Sequence, residues 1–60
     1  MDNKYIDGLV EDKSSVTVYT VNGYQLKGII IMNYDDSIVL FSGGKNKLIY
    51  KHAISTVEPV

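Results

Sequence analysis

The chain has 60 residues, no Cys, one His and a formal net charge of −1. A chain this short makes a single domain, residues 1–60, and buries only about 60% of its unfolded surface, so without a disulfide or metal-ligand set its stability margin rests on self-association. With no Cys, no signal-like segment and a longest apolar run, Ile29 to Met32, far too short for a bilayer, it reads as a soluble cytoplasmic protein with no membrane partner.

In the first dozen residues Tyr5, Ile6, Leu9 and Val10 recur at helical spacing, with Asp2 or Asn3 as N-cap and acidic groups early in the helix. Gly8 costs this helix about 1 kcal/mol against Ala, so packing must hold it, and Ser14-Ser15 marks its end. The segment is also where the acid is concentrated. Residues 1 to 15 set Asp2, Asp7, Glu11 and Asp12 against Lys4 and Lys13, whereas the remainder sets Lys27, Lys45, Lys47 and Lys51 against Asp35, Asp36 and Glu58. Every cation is Lys, so no guanidinium fork is available for bidentate phosphate or guanine recognition, and any contact with a nucleic acid would rest on stacking, backbone groups and point charges.

From Val16 the period changes to two. Val16, Val18 and Thr20 alternate with Thr17, Tyr19 and Val21, which predicts a first strand. Asn22-Gly23 follows as a hairpin signal of the type I′ kind, in which both central residues need positive φ. A second strand over Tyr24 to Tyr34 is apolar on both faces in its later half, with Gly28 at the bend a closing barrel needs. Asp35-Asp36 reads as a turn, Ser37 to Ser42 as a third strand, Gly43-Gly44 as a loop, Asn46 to Tyr50 as a fourth strand and Ile54 to Val57 as a fifth. One helix and five short strands, with no room for crossover helices, predict a mainly β fold: a small antiparallel barrel.

The inventory for catalysis is poor. There is no thiol, His52 has no motif-spaced carboxylate or second ligand, and Asp35-Asp36 sits in turn sequence where solvated carboxylates are ordinary. The chain is read as a non-enzyme without cofactor or metal.

The stretch Tyr50-Lys51-His52-Ala53-Ile54-Ser55-Thr56 closely resembles the signature of the Hfq family, bacterial Sm-like RNA chaperones, and Val21-Asn22-Gly23-Tyr24-Gln25-Leu26-Lys27-Gly28 is similar to the family's first Sm motif. With the strand spacing, the resemblance covers Val16 to Pro59. It implies a bent five-stranded barrel capped by an amino-terminal helix and assembled edge to edge into a ring, usually a hexamer. Edge pairing agrees independently with the cost of exposed strand edges. Tyr50 and Ile54 are expected near the seam.

The resemblance implies two RNA-binding faces. On the face opposite the helices, A-rich single-stranded RNA stacks at the positions matched by Tyr19, Asn22, Gly23, Tyr24, Gln25, Lys27 and Thr56; ordinary cross-strand packing is the plain alternative for the two tyrosines. On the helix side, Lys51 and His52 line the pore that takes uridine ends. The family's aromatic after the turn aspartate falls either on Ser37 or, with a one-residue shift, on Tyr34. The glutamine that helps read uracil is replaced by Asp2 or Asn3. The basic end of the helix is replaced by Val10, Glu11, Asp12 and Lys13, and the chain stops at Val60 without the family's tail, so annealing is expected to be weak.

Two functions follow. One is an Hfq-type RNA chaperone ring acting on A-rich and regulatory RNAs. The other is a protein-interaction or accessory subunit, free to join mixed rings with a homologue, whose acidic helix and apolar Ile29 and Ile31 accompany a loss of RNA binding.

Overall fold

The computed structural model describes residues 2–60. Helix α1 (Asn3–Asp12) is followed by β1 (Ser15–Thr20), β2 (Gln25–Asn33), β3 (Ser37–Ser42), β4 (Lys45–Tyr50), a 3-10 turn (Lys51–Ala53) and β5 (Ile54–Pro59). Asp2 is the N-cap, its carboxylate accepting the Lys4 N–H at 2.9 Å, and the first helical turn carries no further acid. At the other end Lys13 takes the left-handed conformation (φ 52°), which lets its N–H reach Val10 and the Ser14 N–H reach the Leu9 carbonyl at 3.2 Å each. Ile6 and Leu9 are the residues this helix buries against the sheet.

The five strands form one antiparallel sheet in the order β4-β3-β2-β1-β5. It wraps a core of Ile6, Leu9, Val16, Val18, Ile30, Ile38, Leu40, Ile49 and Ile54. Strand β2 is the hinge of the wrap: its first half pairs with β1 (Val16 opposite Gly28) and its second half with β3 (Ile29 opposite Phe41). Gly28 is required there because a Cβ would drive into the Phe41 carbonyl. The Ser42 hydroxyl, donating to the Lys27 carbonyl at 2.6 Å, closes the same crossing.

Two local features differ from expectation. The type I′ turn is not at Asn22-Gly23. Gly23 alone has positive φ there (94°), the Gly23 N–H returns to the Thr20 carbonyl at 3.1 Å, and the Thr20 N–H bonds the Tyr24 carbonyl at 2.9 Å, giving a three-residue loop. The two-residue turn with both φ positive is Gly43-Gly44, between the paired Ser42 and Lys45.

The apolar second half of β2 likewise has a local cause. Ile30 pairs with Leu40 but Met32 pairs with Val39, so Ile31 is an extra residue, a β-bulge that shifts the alternation by one. Met32 therefore lies outward in a row with Val39 and Leu48, and Asn33 turns inward, where its amide N–H donates to Asp7 on α1 at 2.8 Å. Strand β1 is shifted one residue toward the amino terminus from the pattern of Val16–Val21, and β2 is shorter than that of Tyr24–Tyr34. Strand β5 is longer than Ile54–Val57, ending at Pro59 opposite Val16.

Candidate nucleic-acid interface

Strand β1 lies between β2 and β5, and the two registers build a grid on its outer face. Tyr19 stands opposite Gln25 on one side and Thr56 on the other; one pleat away, Thr17 stands opposite Lys27 and Glu58. Directly paired residues point to the same side of a sheet, with strands about 4.8 Å apart. Four expected residues, Tyr19, Gln25, Lys27 and Thr56, are thus brought together on one surface.

The remaining three, Asn22, Gly23 and Tyr24, form the adjoining hairpin loop. The Thr20 hydroxyl organises it, donating to the Asn22 side-chain oxygen at 2.6 Å and accepting the Tyr24 N–H at 2.9 Å. Asn22 keeps its amide N–H groups for other partners, and the Tyr24 ring is 66% exposed. Neither Thr17 nor Glu58 was expected here. The Tyr19 phenol donates to Glu58 Oε1 at 3.3 Å, and the charge of Glu58, more than desolvation, pushes that phenol above its ordinary pKa. Tyr19 is a neutral aromatic at any physiological pH.

Lys51 and His52 lie in the 3-10 turn between β4 and β5. The turn is tied down by the Lys51 N–H, which donates to the Asp36 carbonyl at 2.8 Å. Lys51 was expected to present a free ammonium to phosphate, but its Nζ donates to Asn3 Oδ1 at 2.8 Å and to the Tyr34 carbonyl at 2.5 Å. Two of its three donors therefore fasten the helix start and the β2–β3 turn to this corner. His52 is exposed, and its ring stacks on Tyr50 with centroids 5.7 Å apart and planes 11° from parallel. An open groove of about 570 Å³ runs beside it, lined by Asn3, Tyr5, Asp35, His52 and Ser55 among others.

Ser37 is 4% exposed and cannot offer its side chain to a ligand, although it stands opposite the half-exposed Tyr50 on the side of β3 that carries Val39 and Phe41; the turn before it is closed by the Tyr34 N–H, which donates to the Ser37 carbonyl at 2.8 Å. Of the two alternatives, Tyr34 is the exposed aromatic. Ile54, expected at the seam, is a core residue at 8% exposure, so an interface here would use its backbone and not its side chain. Tyr50 is half exposed and spends one face on His52.

The family model described as Hfq protein matches residues 1–60. The chain belongs to the Hfq family. It is 42% identical to the RNA-binding protein Hfq of Moorella thermoacetica over 98% of this chain and 70% of that protein. It is equally identical to the RNA-binding protein Hfq of Alkaliphilus metalliredigens over 100% of this chain and 75% of that one. Among solved structures it superposes on the pleiotropic translational regulator Hfq with a TM-score of 0.91 at 41% identity, covering 93% of each chain. An Hfq protein from Anabaena sp. shares the fold at a TM-score of 0.85 and 18% identity, over 95% of this chain and 92% of that one. The Sm-like fold of this Hfq-family chain is therefore shared with relatives of low identity. No helix among its described residues is long and apolar enough to cross a membrane.

Proposed function

We propose that this Hfq-family chain is a single-domain, RNA-binding subunit of a homo-oligomeric ring, a hexamer. In this reading it holds A-rich single-stranded RNA on the Tyr19 face and works with small regulatory RNAs in post-transcriptional regulation in the cytoplasm. The observation that carries the reading is the row Gln25–Tyr19–Thr56 beside Lys27, with Tyr24 exposed in the loop next to it. An aromatic ring flanked by an amide, a hydroxyl and a cation is suited to a stacked base with its phosphate nearby, and stacking contributes roughly 1–3 kcal/mol per base. A ring repeats this modest pocket and converts it into avidity. Relatives named as RNA-binding protein Hfq support the same reading.

Ring closure is supported by the two ends of the sheet, β4 and β5, which have no strand neighbour on their outer sides. Pairing β4 of one copy with β5 of the next removes both edges at once. The corner formed by Lys51, His52 and Tyr34 is the candidate second site for uridine ends. It is the weaker of the two, since Lys51 is engaged internally and Asp35 lines the groove.

A second reading, a protein-interaction or accessory subunit that also enters mixed rings with a homologue, is favoured by one observation. Met32, Val39 and Leu48 align outward across β2, β3 and β4, with Ile31 and Phe41 also exposed. Fluorescence anisotropy of labelled oligo(A) and oligo(U) at two salt concentrations, with the oligomer mass measured on the same sample, separates the two. Tight, salt-sensitive oligo(A) binding by a ring is expected; a ring that binds neither oligomer would leave the interaction reading.

A further inference from the structure

The signature Tyr50–Thr56 ends two residues before Glu58, yet Glu58 is the residue whose side chain accepts the Tyr19 phenol proton. One of its oxygens accepts the phenol proton at 3.3 Å. Thr17 pairs with Lys27 on one side and Glu58 on the other, so an ammonium and a carboxylate flank the centre of this face two strands apart, roughly 10 Å. A carboxylate repels phosphate, by about 1 kcal/mol at 4 Å even in a medium as polarisable as water. RNA lying on this surface is therefore steered with its phosphates toward Lys27 and a base, not a phosphate, over Glu58.

We propose that Glu58 is a specificity-determining residue of the Tyr19 face: its carboxylate holds the phenol of the stacking ring and accepts a hydrogen bond from the exocyclic amino group of the stacked base, so the face takes adenine and discriminates against uracil. This rests on the Tyr19 face being the RNA site. Stacking alone does not choose among bases, because every base has a π-face. The edge-reading groups must do so. Gln25 and Thr56 each donate and accept, so they adapt to either base, and Lys27 and the Asn22 amide donate only.

Glu58 is the acceptor-only group of the grid. An ionised carboxylate has about four lone-pair positions on its two oxygens, and Tyr19 uses one. Adenine brings its projecting N6 amino donor to that site, whereas uracil's one base donor, N3–H, is recessed between two carbonyl oxygens that meet the carboxylate with like charge. The same contact orients Tyr19, and Glu58 is the largest cause of the raised pKa of its phenol.

The test uses the full chain and its Glu58→Val and Glu58→Gln variants, with anisotropy of oligo(A), oligo(U) and an oligomer of purine riboside, which is adenosine without the 6-amino group. Wild type is expected to bind oligo(A) about tenfold more tightly than the purine oligomer, the worth of one hydrogen bond to a charged acceptor. In Glu58→Val that ratio falls to within about twofold, while Glu58→Gln, which keeps an acceptor oxygen, retains part of it.

Removing the negative charge strengthens binding of every oligomer alike through the phosphates, so the ratio and not the affinity reports the hydrogen bond. The Tyr19 phenol, followed by NMR, is expected to titrate at lower pH in Glu58→Val. If wild type binds oligo(A) and Glu58→Val leaves the ratio unchanged, the role of Glu58 is overturned and the RNA reading stands. If wild type binds no oligomer, both fall.

Discussion

The Tyr19 face and the Lys51–His52 corner are made of the same kinds of residue, an aromatic, a Lys and small polar groups, but the fold uses them in opposite ways. On the Tyr19 face the residues alternate along regular strands whose backbone groups pair with one another across β2, β1 and β5, so Gln25, Lys27 and Thr56 stand out exposed. The corner is a junction of the helix start, the β2–β3 turn and the 3-10 turn. There Lys51 spends its ammonium on Asn3 and the Tyr34 carbonyl, and Ser37 is buried. A junction consumes polar side chains because its carbonyls lack ladder partners. The same residue type thus stands exposed on a strand and serves as a strut in a turn.

The largest effect is expected where both regions depend on one residue. Gly28→Ala puts a Cβ into the Phe41 carbonyl at the crossing from the β1 half of the sheet to the β3 half. A cost of about 3 kcal/mol or more is expected, against a total on the order of 3–9 kcal/mol for a chain of this size. Urea melts followed by circular dichroism should show a collapsed transition, and a wild-type midpoint would refute the close approach.

Lys51→Met comes next. It leaves the Asn3 oxygen and the Tyr34 carbonyl to water in place of their donor, at an expected cost of about 1–2 kcal/mol. The Lys27 ammonium has no such partner among the described residues, and Lys27→Met should melt within about 0.5 kcal/mol of wild type. Equal melting of the two variants would erase the distinction between strut and ligand.

On the Tyr19 face itself, Tyr19→Ala should weaken oligo(A) binding about tenfold or more, as loss of one stacking platform implies, while the oligomer mass stays unchanged. Oligo(U) binding, if it uses the corner, should change less than about twofold. An unaltered oligo(A) affinity would leave the ring as ordinary cross-strand packing between Gln25 and Thr56.

Most of the Tyr19 face was legible because the resemblance to the Hfq motifs picks out Tyr19, Gln25 and Lys27, and period-two alternation agrees in putting Gln25 and Lys27 on one side of β2. Glu58 was not, since its contact with Tyr19 spans 39 positions and depends on the β1–β5 register. The bulge at Ile31 was hidden by its neighbours: in an all-apolar run a shift of one residue leaves no mark on the pattern. The hairpin was placed correctly and its turn type was not, because Asn-Gly suits both a two-residue loop and a three-residue loop ending on Gly23. At the corner the residues were identified but their commitments were not; nothing in Tyr50-Lys51-His52 announces that the ammonium faces inward or that Tyr50 stacks on His52.

The smallest effect draws the sharpest line between the two cations. A Lys that neutralises a phosphate releases counterions, so each such contact on a single strand contributes about 0.7 to the slope of log affinity against log salt. Lys27 is exposed beside the Tyr19 row, and Lys27→Met should lower the oligo(A) slope by about that amount per subunit engaged, with an affinity loss of only a few-fold at moderate salt. Lys51→Met, assayed below its melting range, should leave the oligo(A) slope where it was, because its ammonium is already engaged by the Asn3 side chain and the Tyr34 carbonyl. If instead Lys51→Met flattens the slope and Lys27→Met does not, the cation that meets RNA is the one in the junction, and the division of labour between strand and turn is reversed.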